Sequence, residues 1–232
     1  KLIPSRQKLQ SLSSDPPVLE MNGERISQVH SSKSLGVIID EHLSWNTHID
    51  NLAKKVGSAL GAIKRIRNCI PHKTLLSIYQ GLVQTHFDYC SVVWGNCGST
   101  LKSKLQKLQN RASRIVTFSS FDADAQKLRN QLGWRDLETQ RAIFKAQMVY
   151  KSLNHLTPSY LSSRFIHRSD ISSAYNLRNS ENKLAIPLPR TNYYKNSFSY
   201  SGAKLWNSLP LDVRLAESLT KFRTGLNSFY TV

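Results

Sequence analysis

Four cations, Lys104, Lys107, Arg111 and Arg114, recur at spacings of 3, 4 and 3 near the middle of this chain. At roughly 100° per residue they fall within about 80° of one another on one helical face. Leu101, Leu105, Leu108, Ala112 and Ile115 form the neighbouring apolar face. A helix over 101–118 with one side for a core and a row of cations beside it is shaped to lie along a polyanion. The chemistry this offers is charge neutralisation of a phosphate backbone, with no reaction attached to it.

Other residue types that could do chemistry are sparse. Asp122 and Asp124 invite comparison with the paired acids that hold Mg²⁺ in polymerases and nucleases. Nothing else acidic is close to them, and Asp before a helical pattern more simply caps the free N–H groups of a helix running to Leu132. Cys90, Cys97 and His86 match no zinc knuckle or finger spacing. Three cysteines without tight pairing fit a reducing compartment. The histidines are scattered singly, and neither a Gly-rich phosphate loop nor a Ser-His-Asp arrangement is present.

Charge supports the binding reading. The net charge is +17 over 232 residues, distributed unevenly. Residues 51–120 carry 11 Lys or Arg against a single acid, Asp88, whereas residues 1–50 carry 5 against 6. A bias of that size favours phosphate-rich partners over a merely solvated exterior. Candidate contacts are therefore Lys54, Lys55, Lys64, Arg65 and Arg67, together with Lys104, Lys107, Arg111 and Arg114. No run approaches the roughly 20 apolar residues of a membrane span, so no membrane partner is expected. Lys1-Leu2-Ile3-Pro4 has neither an initiator Met nor a signal-peptide core and reads as cut from something longer. An intracellular setting, nuclear or cytoplasmic and not secreted, is the expectation.

The elements that must position these residues are mainly helical, after a small β element at the N-terminus. Val18 to Met21 and Glu24 to Val29 flank Asn22-Gly23, a strong hairpin signal because both turn residues tolerate positive φ. The run from Leu35 to Asp40 predicts a further strand. Ile49, Leu52, Val56, Leu60, Ile63 and Ile66 predict an amphipathic helix ending before Pro71. In it, Gly57 and Gly61 suggest close approach by another helix or a nucleic-acid strand. About 73–87 predicts a second helix, with Leu75, Leu76, Ile78, Tyr79, Leu82 and Val83 mostly inward, and the basic helix makes a three-helix bundle. Further helices are expected at about 137–153, from Pro158 to 165 and at 218–230, with an extended segment at 184–190. Tyr193, Tyr194, Phe198, Tyr200 and Trp206, interleaved with Lys195 and Lys204, suit either base stacking or a small core. The division is 1–45, 46–119 and 120–232, with a polar candidate linker at 166–183.

Ser34-Leu35-Gly36-Val37-Ile38-Ile39-Asp40, followed by Leu43, Trp45, His48 and Ile49, resembles a signature of non-LTR retrotransposon reverse transcriptases, especially jockey-like elements. Three more blocks are similar to the C-terminal region of that family: 89–95 from Tyr89 to Gly95, 107–112 from Lys107 to Ala112, and 197–214 with Gly202, Leu205-Trp206-Asn207-Ser208-Leu209-Pro210 and Arg214. The resemblance implies a parent RNA-directed DNA polymerase using two Mg²⁺ ions on palm aspartates. The aromatic-x-Asp-Asp box is not in this chain, so the chain alone is expected to be inactive, with no cofactor of its own. The resemblance implies a primer-grip-like role for Leu35, Gly36 and Val37, a thumb over 46–119 and a C-terminal extension beyond it. The implied partners are RNA template, RNA–DNA duplex and target DNA, together with the parent's fingers and palm.

Two other classes compete. A stand-alone or captured interaction module would bind a protein or acidic surface without catalysis. An independent metal-dependent nuclease would need Asp122 and Asp124 joined by further carboxylates in space.

Overall fold

The computed structural model describes residues 19–171 and 182–230. Val18, the first four residues and most of the candidate linker lie outside them. The chain forms two units, one ending at Leu52 and the other starting at Ala53.

The first unit contains two antiparallel hairpins. Strands β1 (Leu19–Met21) and β2 (Glu24–Ile26) pair with Leu19 opposite Ile26. Asn22 and Gly23 take φ of 55° and 80°, as the Asn-Gly signal requires. The second hairpin corrects the expected strand. Leu35 and Gly36 are its turn, with φ of 45° and 81°, and only Val37–Asp40 (β4) is extended. Its partner is β3 (Ser31–Ser34), wholly exposed and polar, which carries no apolar alternation to reveal it.

Helix α1 (Asn46–Ile66) begins in the first unit and continues into the second. Val56, Leu60 and Ile63 are fully buried at the expected spacing. Gly57 and Gly61 do not mark a helix crossing: a Cβ at Gly57 would meet nothing, and one at Gly61 only the tip of Arg65.

The second helix differs in winding. It runs through α2 (His72–Tyr79), a π-helical stretch at Gln80–Gln84 and α3 (Thr85–Asp88). Its buried residues are Leu75, Tyr79, Val83 and Phe87, four apart each time. Three such intervals outrun the 3.6-residue α period by about one residue, the amount that a π turn inserts. Leu82, expected inward, is consequently half-exposed. A short turn, α4 (Ser91–Trp94), buries Trp94, whose indole N–H donates to the Tyr89 carbonyl at 2.9 Å. The basic helix is α5 (Ser99–Val116).

Asp124 caps α6 (Ala125–Gln131), accepting from the N–H of Gln126 at 2.8 Å. Asp136 caps α7 (Leu137–Leu153) in the same way, through Glu138 and Thr139. Packing runs across residue 120: Gln109 donates to the Arg135 carbonyl at 2.9 Å, and Gln106 accepts from the Leu137 N–H at 3.0 Å.

Helix α7 is the strut of the second unit. It packs against α4, α5 and the later helices α10 (Phe198–Ser208) and α12 (Leu219–Phe229). Between come short turns α8 (Ser159–Ser162) and α9 (Asn192–Lys195), and α11 (Leu211–Arg214) follows α10. Ile143, Ala146, Val149, Phe165, Trp206 and Phe222 anchor one apolar core. Gly202 allows α10 to approach: a Cβ there would sit 2.9 Å from Val149. The aromatic stretch therefore divides. Trp206 is core and Phe198 meets Phe165 edge-on, while Tyr194 stays exposed. The described ends of the candidate linker are paired, Arg168 N–H to Lys183 carbonyl and Ala185 N–H to Ile166 carbonyl, both at 2.9 Å.

Candidate nucleic-acid interface

On α5 the apolar side is buried at Leu105, Ala112, Ile115 and Val116, with Gln109 and Ser113 also inside. That fixes the rotation of the helix and sends Lys104, Lys107 and Arg111 to the exposed side. Arg114 is different. Its Nε donates to the Ala123 carbonyl at 2.9 Å, and its guanidinium lies 5.8 Å from the Phe121 ring centre. The row of four is thus three exposed cations and one structural arginine.

A similar division applies to α1. Lys54, Lys55, Lys64 and Arg65 are exposed, the last two in the final turn, where they also suit the helix dipole. Arg67 turns inward: its Nη1 donates to the Ile115 carbonyl at 3.4 Å, and it sits 5.1 Å from the Phe118 ring centre. Those two residues flank the C-terminal end of α5. Phe118 takes φ of 56°, and the Ser119 N–H donates to the Arg114 carbonyl at 3.0 Å, a Schellman turn with a bulky residue where glycine is usual. Arg67 braces it. The contact also brings the basic end of α1 to the end of α5.

Asp88, the lone acid of 51–120, offsets little of this surface charge. Its carboxylate accepts from Gln84 at 2.9 Å. Burial raises its pKa, partly opposed by the Gln84 bond. Burial, followed by the charge of Asp88, likewise raises that of Tyr79, which stacks on Trp134 at 4.1 Å.

The first signature block forms a joint between hairpin and helix. Asp40 accepts from the N–H groups of His42, Ser44 and Trp45 at 3.1, 2.9 and 2.9 Å. Burial opposes its ionisation, but these bonds outweigh it and hold the pKa below the usual carboxylate range. Leu43 and Trp45 take φ of 49° and 67°, and His48 Nδ1 accepts from the Ile38 N–H at 3.3 Å. Val37 is buried, whereas Leu35 is 87% exposed at the hairpin tip.

Asp122 is exposed and Asp124 is committed to its cap. Among the described residues no three His, Cys, Asp or Glu side chains gather into a possible metal seat. This arrangement does not fit the Mg²⁺ that a polymerase requires, and no step of phosphoryl transfer is assigned to it. No helix among the described residues is long and apolar enough to cross a membrane.

Similar proteins place the chain. It is 24% identical over 179 residues to a probable RNA-directed DNA polymerase from transposon X-element of Drosophila melanogaster, covering 75% of this chain. It is 28% identical over 137 residues, 54% of the chain, to the retrovirus-related Pol polyprotein from type-1 retrotransposable element R1 of Bradysia coprophila. The RNA-directed DNA polymerase from mobile element jockey of Drosophila funebris is 27% identical over 106 residues, 44% of the chain. The chain is related to the reverse transcriptases of non-LTR, jockey-like retrotransposons. It spans 18%, 13% and 12% of those three proteins. No family model matches, and no solved structure matches.

The reverse-transcriptase-like blocks near the end of this chain are architectural. Asn207 accepts from the Leu184 N–H and donates to the Leu184 carbonyl, both at 2.8 Å, and Trp206 donates to the Asn182 carbonyl at 2.8 Å. A second set of cations, Lys102, Arg141, Lys145, Lys195 and Lys204, also converges in the fold. Its members are too far apart in sequence for any local pattern to find them. Only the one-turn spacing of Arg141 and Lys145 hinted at a shared face.

Proposed function

We propose that this chain is the nucleic-acid-gripping part of a reverse transcriptase related to those of jockey-like elements. The observation that carries the reading is the exposed row Lys104, Lys107 and Arg111 on a helix whose other side is locked into the core. Together with Lys54, Lys55, Lys64 and Arg65 it neutralises the backbone of a template–primer duplex without reading bases, as copying any sequence demands. RNA template and target DNA are further partners of the same chemistry. Action on them places the protein in the nucleus or cytoplasm.

The catalytic carboxylates and their Mg²⁺ belong, in this reading, to the parent's palm. The hairpins of the first unit would complete that palm, with Leu35, Gly36 and Val37 near the primer. Leu19, Met21 and Ile26 share one face of the first hairpin and are all exposed. A two-stranded hairpin is marginal alone, and such a face gains from cover by further palm and fingers.

A salt titration of binding to an RNA–DNA duplex tests the proposal. Log affinity falls linearly with log salt, and changing Lys104, Lys107 and Arg111 to Gln flattens the line. Salt-independent binding, or binding indifferent to those changes, would favour a protein-binding module derived from such an element.

A further inference from the structure

The second cationic set lines a cavity of about 530 Å³ within the second unit. Lys102 comes from the start of α5, Arg141 and Lys145 from one face of α7, Lys195 from the end of α9 and Lys204 from α10. Glu138 is the one carboxylate in this wall, and it is paired with Lys102 at 3.1 Å.

The deepest of these cations is not satisfied by the protein. Arg141 is 6% exposed, stacked 5.7 Å from the Trp94 ring centre, and its Nη1 has no hydrogen-bond partner. Ser91, 2% exposed and in the same wall, has an unpartnered Oγ. Gly95 leaves room for the arginine, since a Cβ there would lie 3.0 Å from Arg141 Cδ. One turn along α7, Lys145 is held by neutral oxygens alone: Nζ donates to Asn96 Oδ1 at 2.5 Å and to Ser201 Oγ at 3.3 Å. A buried ammonium supported only by neutral partners, beside a guanidinium with an unmet donor, is costly. A multiply charged anion in the cavity offsets that cost and supplies the missing acceptors.

We propose that this cavity binds an oligophosphate of nucleotide size, its phosphate oxygens between Arg141 and Lys145 with Lys195 and Lys204 at the mouth. With Lys102 answered by Glu138, a carboxylate ligand would leave most of the other four cations unanswered, whereas two or three linked phosphates match them. The volume suits a small ligand and excludes a duplex. The source is either a free nucleotide or the phosphorylated end of a strand. This site is separate from the exposed row on α5 and stands whether or not that row grips a duplex.

The test is calorimetric titration of the whole chain with inorganic tripolyphosphate at physiological salt. One saturable site is expected, with Lys145→Gln and Lys204→Gln each weakening it by about tenfold or more. Lys204 is exposed, so its variant reports binding without disturbing the core. Changing Lys104, Lys107 and Arg111 together to Gln leaves tripolyphosphate affinity within about twofold. Nucleoside triphosphate binding as tightly as tripolyphosphate identifies a free ligand. An oligonucleotide that binds better with a 5′-triphosphate than without, and loses that gain in Lys145→Gln, identifies a strand end. Absence of saturable binding up to millimolar concentration overturns the proposal, as does affinity unchanged in both lysine variants.

Discussion

Arg114 Nε donates to the carbonyl of Ala123 at 2.9 Å, tying the last turn of α5 to the segment that leads into α6. This bond removes from the exposed cationic row of α5 a residue that helical spacing alone assigns to it. The residue is a brace in the same sense as Arg67, which holds the α5 terminus through Ile115 and Phe118.

Arg114 and its neighbours should therefore separate in experiment. Arg114→Ala is expected to cost about 1–3 kcal/mol of stability and to leave the salt dependence of duplex binding nearly unchanged. Lys104→Gln, Lys107→Gln and Arg111→Gln should each reduce the slope of log affinity against log salt by up to about 0.9, with little effect on unfolding. Denaturant melts and salt titrations on the same variants check both halves.

Asp40→Ala should loosen the joint ahead of α1 by about 1–3 kcal/mol, because the three N–H groups of His42, Ser44 and Trp45 lose their acceptor. The folded pKa lies below the ordinary one, so the carboxylate's contribution is complete above about pH 4 and disappears as pH falls through the folded value. Hydrogen exchange at the Ser44 and Trp45 amides reads this locally. Asp40→Asn should flatten the acid limb.

Lys145 gives up its proton at lower pH than an ordinary lysine. Burial first, then the charges of Lys102 and Arg141, bring its pKa down to about 8. The unfolded chain consequently holds more protons than the folded one between about pH 8 and 10.5, and stability rises with pH across that window. Below it the full cost of the buried charge is present. Lys145→Met should raise stability at pH 7, by no more than roughly 3 kcal/mol, and remove the rise. Urea melts at pH 7 and pH 10 measure both.

Two glycines tolerate no side chain for distinct reasons. At Gly95 an added Cβ would lie 2.3 Å from the Ser91 carbonyl oxygen, which belongs to the backbone and has little room to yield. At Gly202 it would press Val149 and Phe165 at 2.9 and 3.2 Å. Gly95→Ala and Gly202→Ala should each destabilise by about 1–3 kcal/mol. Gly57→Ala, in open space on α1, should instead stabilise by up to about 1 kcal/mol. Thermal melts distinguish the three.

The sequence by itself determined what local chemistry controls. Asn22-Gly23 set the first hairpin, apolar spacing set α1, α5 and α7, and Asp124 was legible as a cap because its bonds reach only three residues ahead. The exposure of Lys104, Lys107 and Arg111 followed from the same periodicity. Tertiary structure decided whatever depends on a distant partner. The strand Ser31–Ser34 exists through pairing with Val37–Asp40 and has no apolar signal of its own. The π turn answers a core that demands a side chain every fourth residue. Arg67 and Arg114 became braces because carbonyls and rings from other segments came within reach of their guanidinium groups. The cations around Lys145 meet only because α7 packs against α4, α5 and α10. Charge can be counted along a chain, but whether it faces solvent, backbone or another charge is settled by packing.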